Sequence, residues 1–208
     1  KVPKYVYYEF SNGTIITGVF HNWIIQGKAE VNSTTTECIQ VTLERQNVVL
    51  IANYSELLVP VTLNVCVIEQ GAPSLTPVEI EINGKYYEAP SSITVFAGYV
   101  SIHVLCLIFN NTKCMNNGYI YIYQYAYSEY QGKEYSLPSY LIFIPPTESS
   151  AKLCIYYNKV GCYVHIHIVK YNCCNNVYFI LNGTVYNYGG CYWILAGKYC
   201  ACLLYTSD

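Results

Sequence analysis

Charge is the first property that this sequence of 208 residues has little of. Lys and Arg number 11, Asp and Glu number 13, and charged residues make up 12% of the chain, which is about half of the usual share. With a formal net charge of −2, the chain has no basic field to hold a nucleic-acid backbone. A disordered chain is also excluded, because it would be poor in hydrophobic residues, and these make up 53% here.

Long apolar runs are missing as well. The longest near-apolar stretch, at 100–109, has ten residues, and a membrane helix needs about twenty, so we expect no membrane span. The chain begins with Lys1, and no basic and apolar leader follows. This start favours a mature, secreted chain whose leader has been removed.

Catalytic motifs are the third absence, since the sequence has no Gly-x-Ser-x-Gly, His-Glu-x-x-His or Gly-rich phosphate loop. Glu79 and Glu81 could be glycosidase carboxylates, but a solvent-facing strand explains them better. His165 and His167 share one strand face three residues after Cys162, so a metalloenzyme or electron carrier is conceivable; a packed or surface pair is the simpler interpretation. We expect no enzyme, no metal and no cofactor apart from N-linked glycans.

What the sequence does have is alternation with a period of two. Short runs rich in Val, Ile, Thr and Tyr extend from 14–20 to 198–205, and Gly, Pro, Asn and Ser separate them at intervals of roughly ten residues. No segment carries apolar residues at helical spacing over three turns. The pattern predicts an all-β protein built from sandwiches or barrels.

An internal repeat organises these runs. Residues 78–88 match 177–187, and 95–105 match 194–204, both without gaps. The first pair shares an Asn-Gly turn, typical of a type I′ hairpin, and the second shares an Ala-Gly pair, which we expect to turn the chain between the last two strands. The repeat predicts two tandem β-sandwich domains. We expect an N-terminal strand at 1–12 and domains at 13–112 and 113–208.

Cysteine is abundant, with 11 residues and no C-x-x-C pair. Disulfides in an oxidising compartment, buried free thiols and metal ligation are the alternatives, and the missing paired spacing favours disulfides. Because the count is odd, at least one thiol is free or pairs between chains. The candidates are Cys38, Cys66, Cys106, Cys114, Cys154, Cys162, Cys173, Cys174, Cys191, Cys200 and Cys202.

Glycosylation sequons point in the same direction. Five occur where the composition predicts about two, and they favour a secreted glycoprotein. They lie at Asn12, Asn32, Asn53, Asn110 and Asn182.

Two further strands invite a functional interpretation. Residues 1–10 stand outside the repeat and alternate; they form either the first strand of their own sandwich or a free strand that is added to another copy, with Val2, Val6, Tyr8 and Phe10 on its apolar side. Residues 119–127 carry five Tyr on one face. That face is either half-buried in the ordinary way or a contact surface for sugars or a neighbouring subunit.

The repeated pattern of apolar strand, Asn-Gly, Tyr, loop and Ala-Gly resembles small immunoglobulin-like or PEGA-like modules of archaeal surface proteins. The Tyr-rich, charge-poor and sequon-bearing profile is similar to extracellular proteins of thermoacidophilic crenarchaea, within them to the thread-filament pilins of Sulfolobales. That resemblance implies immunoglobulin-like domains and an N-terminal strand donated to the next subunit of a glycosylated filament.

The leading expectation is therefore a structural subunit of an extracellular, pilus-like filament that assembles head to tail by donor-strand complementation and serves adhesion or biofilm formation. Its partners would be copies of itself and cell-surface glycans. The alternative is a surface or virion adhesin, monomeric or a closed oligomer, that binds glycans through the Tyr-rich face.

Overall fold

In the residues that the structure describes, strands are the only regular secondary structure, and the all-β class predicted from the alternation is confirmed. The computed structural model describes residues 1–43, 47–111, 119–167, 177–181, 184–187, 191–197 and 201–205. Val, Ile, Thr and Tyr fill these strands because branched and aromatic side chains pack well on a pleated surface. In these ranges no helix is long and apolar enough to cross a membrane.

The strands of the first half of the chain are β1 (Tyr5–Glu9), β2 (Ile15–Gln26), β3 (Ala29–Val31), β4 (Val41–Leu43), β5 (Val49–Glu56), β6 (Pro60–Glu69), β7 (Ala72–Ser74), β8 (Val78–Ile82), β9 (Lys85–Ala89), β10 (Ser91–Phe96) and β11 (Gly98–Val104). Those of the second half are β12 (Ile108–Asn111), β13 (Tyr119–Tyr130), β14 (Lys133–Tyr135), β15 (Ser139–Ile144), β16 (Ser150–His167), β17 (Val177–Leu181), β18 (Thr184–Asn187), β19 (Cys191–Leu195) and β20 (Ala201–Tyr205).

Within the described ranges these strands form five sheets. Three of them have the orders β1-β2-β5, β15-β11-β8-β9 and β18-β17-β20, and β3 pairs with β4. The largest sheet has the order β10-β6-β16-β13-β12, with β7 beside β6, β14 beside β13 and β19 beside β16.

The chain divides into two compact units, each made of two stretches. The first unit contains Lys1–Leu107 and Ala126–Tyr156, and the second contains Ile108–Tyr125 and Tyr157–Asp208. The predicted boundary at 112/113 lies outside the described residues. The division into tandem domains at 13–112 and 113–208 therefore stays a prediction.

The core of the first unit is built mainly by alternation. Every second residue of β6 is buried from Val61 to Val67, β8 repeats the pattern, and β11 buries Val100, Ile102 and Val104 together with Ser101. Because strand side chains alternate between faces, these residues give each of two sheets one apolar face. Burying those faces supplies most of the driving force for folding.

The internal repeat reappears in the strand pairing. β8 pairs with β9 on one side and β11 on the other, and β17 pairs with β18 and β20 in the same way. In the first unit Ile82 is paired with Ile102. In the second unit the pair Leu181 and Ala201 occupies the same register, and each residue lies 99 positions after its counterpart. The Asn83-Gly84 turn has φ of 49° and 74°, as a type I′ turn requires.

The Ala97-Gly98 pair does not form the predicted turn between paired strands, and that prediction was wrong. β10 pairs with β6, whereas β11 pairs with β15 and β8, so the chain changes sheets at this point. Gly98 has φ of 104°, and a Cβ there would lie 2.6 Å from Cβ of Thr17. Glycine is needed because the backbone turns against a packed side chain.

One disulfide joins Cys66 on β6 to Cys154 on β16, which confirms that part of the disulfide prediction. Cys38 is an exposed free thiol, Cys162 is a half-buried free thiol, and Cys106 is half-buried. Burial, followed by the charge of Glu79, raises the pKa of the Cys106 thiol. The other predicted cysteines lie outside the described residues, except Cys191 and Cys202, which belong to strands β19 and β20.

Removing the disulfide should destabilise the protein strongly. The two cysteines are 88 positions apart, and in the chain-entropy account a loop of that length contributes about 2–5 kcal/mol. We expect the double change Cys66→Ser and Cys154→Ser to lower the free energy of unfolding by that amount in urea titrations. Cys38→Ser, at an exposed free thiol, is the control and should have no effect; equal stability of the double variant would contradict the prediction.

Tyr130 generates a prediction with a defined pH window. Its hydroxyl is buried without a hydrogen-bond partner, and burial, followed by Glu148 and Tyr135, raises its pKa to about 12. The unfolded side chain titrates near pH 10, so this group leaves the free energy of unfolding unchanged below pH 10 and lowers it as the pH rises from 10 towards 12.

We therefore expect Tyr130→Phe to raise the free energy of unfolding at pH 7 by about 1 kcal/mol, because an unsatisfied polar group is removed. The variant should also lose less stability than the natural protein between pH 9 and pH 11.5 in urea titrations. Tyr86→Phe is the control, since Tyr86 is exposed. Parallel pH curves for Tyr130→Phe and the natural protein would refute the assignment.

Candidate functional site: the N-terminal segment and its slot

Residues 1–10 form one arm of a hairpin in the first unit. β1 pairs with β2 in antiparallel register from Tyr5 opposite Val19 to Glu9 opposite Ile15. The turn closes with the amide of Phe10 donating to the carbonyl oxygen of Thr14 at 2.9 Å. The segment thus occupies the edge of the sheet β1-β2-β5 and is connected to it through only a short turn.

The odd-numbered side chains of this segment contact aromatic residues of another sheet. The ring of Tyr5 lies 5.1 Å from that of Phe143, and the ring of Tyr7 lies 4.9 Å from that of Tyr99. Tyr99 and Phe143 also contact each other at 5.1 Å. We call the edge of β2 from Ile15 to Val19, together with these two aromatic residues, the slot.

A close approach of β2 to β11 holds the slot together. The amide of Tyr99 donates to the hydroxyl oxygen of Thr17 at 2.8 Å, and Thr17 is buried against Gly98. The sequence signal for this contact is Gly98, because glycine leaves room for the close approach of Thr17. It does not identify the strand that approaches the glycine.

The residues predicted as donor anchors lie on the opposite face. Tyr8 is 65% exposed and Phe10 is 43% exposed, and their rings contact each other at 4.9 Å. Val6 is half-buried beside Gly18, and the amide of Val2 donates to the carbonyl oxygen of Glu37. In the single chain Tyr5 and Tyr7 contact the body of the protein, and Tyr5 is half-buried whereas Tyr7 is still 48% exposed.

The sequons differ in accessibility. Asn12, Asn32 and Asn110 are exposed, and Asn12 and Asn32 use only their side-chain oxygens, which accept from the amides of Thr14 and Gln40. Asn53 is half-buried, and its Nδ2 donates to Oδ1 of Asn22 at 2.9 Å.

Asn182 lies outside the described residues. A glycan is attached through Nδ2 of the asparagine. Among the sequons that the structure describes, Asn53 is the one whose Nδ2 already donates a hydrogen bond.

The Tyr-rich strand is packed rather than free. In the second unit, Tyr123 is buried and stacks on Phe109 at 5.5 Å, and Tyr125 contacts Tyr157 at 6.2 Å. The ammonium of Lys159 lies 3.9 Å from the ring centre of Tyr121.

In the first unit, Tyr127 stacks on Tyr156 at 4.5 Å, and the hydroxyl of Tyr156 donates to Glu129. Burial, followed by the hydrogen bond to Glu129, raises the pKa of Tyr156. These contacts favour a half-buried strand over an open platform for sugars.

The structure describes the positions of the residues that the sequence suggested as catalytic groups or metal ligands. His165 and His167 face Trp193 and Cys191 across β16 and β19. The described residues contain no group of three or more His, Cys, Asp or Glu side chains that could hold a metal ion.

Glu79 and Glu81 lie on β8, opposite Glu88 and Tyr86 on β9. Nδ1 of His103 lies 2.9 Å from the hydroxyl of Ser139 on the sheet surface. A serine nucleophile needs an imidazole that a third group orients. No carboxylate in the described part of the chain hydrogen-bonds to this ring, and the absence of enzymatic activity stays a prediction.

No protein-family model, no curated protein and no solved structure matches the chain. Its function must therefore be argued from the slot, the segment that fills it and the chemistry of its surface.

Accessibility should decide which sequons are used. In a glycosylating host, we expect peptide mass spectrometry to find glycans on Asn12, Asn32 and Asn110 and little on Asn53, because Nδ2 of Asn53 is bound to Asn22. Asn22→Ala should raise the occupancy of Asn53 and leave the other sites unchanged. Full occupancy of Asn53 in the natural protein would contradict this reasoning.

Proposed function

We propose that the chain is a structural subunit of a secreted, glycosylated extracellular filament, assembled head to tail by exchange of residues 1–10. In the filament, the segment of one copy occupies the slot of the next copy. The observation that carries the proposal is that this segment fills a defined slot yet remains an edge strand held through a short turn.

Exchange is energetically feasible because it conserves the contacts. The register of β1 against β2, and the packing of Tyr5 on Phe143 and Tyr7 on Tyr99, can form between copies as well as within one. Swapping an identical element between copies is a low-cost route to association, and a heterologous contact that does not close gives an open polymer.

Tyr5, which is half-buried, and Tyr7, which is 48% exposed, each contribute only part of the free energy of full burial, and the backbone ladder adds to it. Full burial of a large apolar side chain is worth about 1.5–3 kcal/mol, and each ladder hydrogen bond contributes about 1 kcal/mol. Tyr5, Tyr7 and the ladder from Tyr5 to Glu9 together give a contact that can persist.

The remaining features support an extracellular setting. One disulfide, exposed sequons and few ionisable groups suit an oxidising and acidic exterior, where protonation of paired carboxylates would weaken a charge-rich protein. We further propose that each unit is an immunoglobulin-like sandwich, as the resemblance to archaeal surface modules and thread pilins implies, and that the filament serves adhesion.

Deleting residues 1–10 tests the proposal. We expect the natural protein to form filaments visible by negative-stain electron microscopy, and the truncated protein to stay below filament size because no strand is available for the neighbouring slot. Filaments of the truncated protein would overturn the donor role.

Two double variants test the two faces of residues 1–10 independently. Tyr5→Ser with Tyr7→Ser removes the side chains that face the slot, and we expect filaments to disappear. Tyr8→Ser with Phe10→Ser removes the same number of aromatic rings from the other face and should leave filaments in place. Circular dichroism of both variants checks that the chain still folds; loss of filaments in the second variant alone would contradict the slot geometry.

A further inference from the structure

Strand β5 is the other edge of the sheet that carries the N-terminal segment. In the sheet β1-β2-β5 it pairs with β2 from Val49 to Glu56. Among the described residues no strand pairs with its outer side. An unpaired edge exposes a row of backbone donors and acceptors and is a template for another strand.

The pattern of backbone hydrogen bonds shows which residues of β5 direct their N–H and C=O groups away from β2. The amides of Phe20 and Trp23 donate to the carbonyl oxygens of Lys4 and Thr34, on the side of β2 that faces away from β5. Their partners on β5 are Tyr54 and Ala52. These are therefore non-hydrogen-bonded pairs, and the backbone groups of Tyr54, Ala52 and, by alternation, Leu50 point away from β2.

The side chains of this edge are apolar on both faces of the sheet. Val49 is 51% exposed, Leu50 is 38% exposed and Ile51 is 40% exposed. Successive residues point to opposite faces, so both faces are partly exposed at this end of the strand. A strand placed alongside would shelter all three side chains.

Most of β5 also lacks the residues that protect other edges. Positions 47–54 contain no charged residue and no proline, and the one charged residue of β5, Glu56, stands at its end. By contrast, β9 carries Lys85 and Glu88 within five residues. Charges and prolines are the usual means by which proteins block unwanted edge pairing.

We propose that β5 pairs with β5 of a second copy of this chain, antiparallel about a two-fold axis at Ala52. In that register Leu50 lies opposite Tyr54 of the other copy, so the outward backbone groups of both strands meet and form about six ladder hydrogen bonds. The partner is a second copy because two identical strands are self-complementary when antiparallel. Positions 47–54 also bring no like charges together.

This interface does not depend on the exchange of residues 1–10. It uses the opposite edge of the same sheet and joins copies in symmetric pairs, whereas exchange joins them head to tail. When both operate, filaments associate side by side.

Amide hydrogen exchange of the full chain without glycans, followed by NMR at increasing protein concentration, tests the pairing residue by residue. We expect the amides of Leu50, Ala52 and Tyr54 to slow at least tenfold as pairs form. Those of Ile51 and Asn53, which already point to β2, should be protected at all concentrations. Fast exchange of Leu50, Ala52 and Tyr54 up to about 1 mM would overturn the proposal.

Two substitutions provide an independent readout in sedimentation experiments. Leu50→Lys adds a charge to the edge, and Ala52→Pro removes an outward amide that the chain itself does not use. Both should abolish the symmetric pairs that the natural protein forms, with or without head-to-tail filaments, and Leu75→Lys, at an exposed site outside β5, should still pair.

Pairs that survive both substitutions would refute the interface, with circular dichroism confirming that the variants fold. Pairs without filaments would support the pairing of β5 and contradict the exchange of residues 1–10. Filaments without pairs would support the exchange and contradict the pairing of β5.

Discussion

Every strand in an all-β chain has two edges, and the backbone groups on both of them need partners. In the first unit this requirement is met for β2, β6, β8 and β11, each of which lies between two other strands. It is met only on one side for β1 and β5, at the two ends of one small sheet. Both proposals concern these two strands: β1 as the segment that would be exchanged between copies, and β5 as the edge that would pair with a second copy.

The second unit reuses the pairing scheme of the first. β17 takes the central place of β8 between two partners, and the register is kept at the same spacing along the chain. A repeat of this kind conserves hydrogen-bond partners more strictly than side chains: the apolar pair Ile82 and Ile102 corresponds to Leu181 and Ala201. In the described part of the chain, the leading segment and the slot both lie in the first unit.

Much of the fold is predictable from the sequence because alternation is a local property. It defines the strands, and Asn83-Gly84 defines a hairpin through its positive φ angles. The sheet to which a strand belongs is not a local property. Ala97-Gly98 has the composition of a turn but connects strands of two different sheets. The glycine is needed because Thr17, distant in the sequence, packs against it. The alternation of residues 1–10 likewise gives two faces without indicating which one is buried, and that depends on Tyr99 and Phe143, far away in the sequence.

The filled slot has a kinetic and a directional consequence. Under the proposed exchange, a newly made copy would occupy its own slot and be closed to neighbours until the hairpin opens, so the monomer would inhibit its own growth. One end of the proposed polymer would carry an empty slot and the other a free strand. The polymer would therefore be polar, and its two ends would grow by different chemical steps.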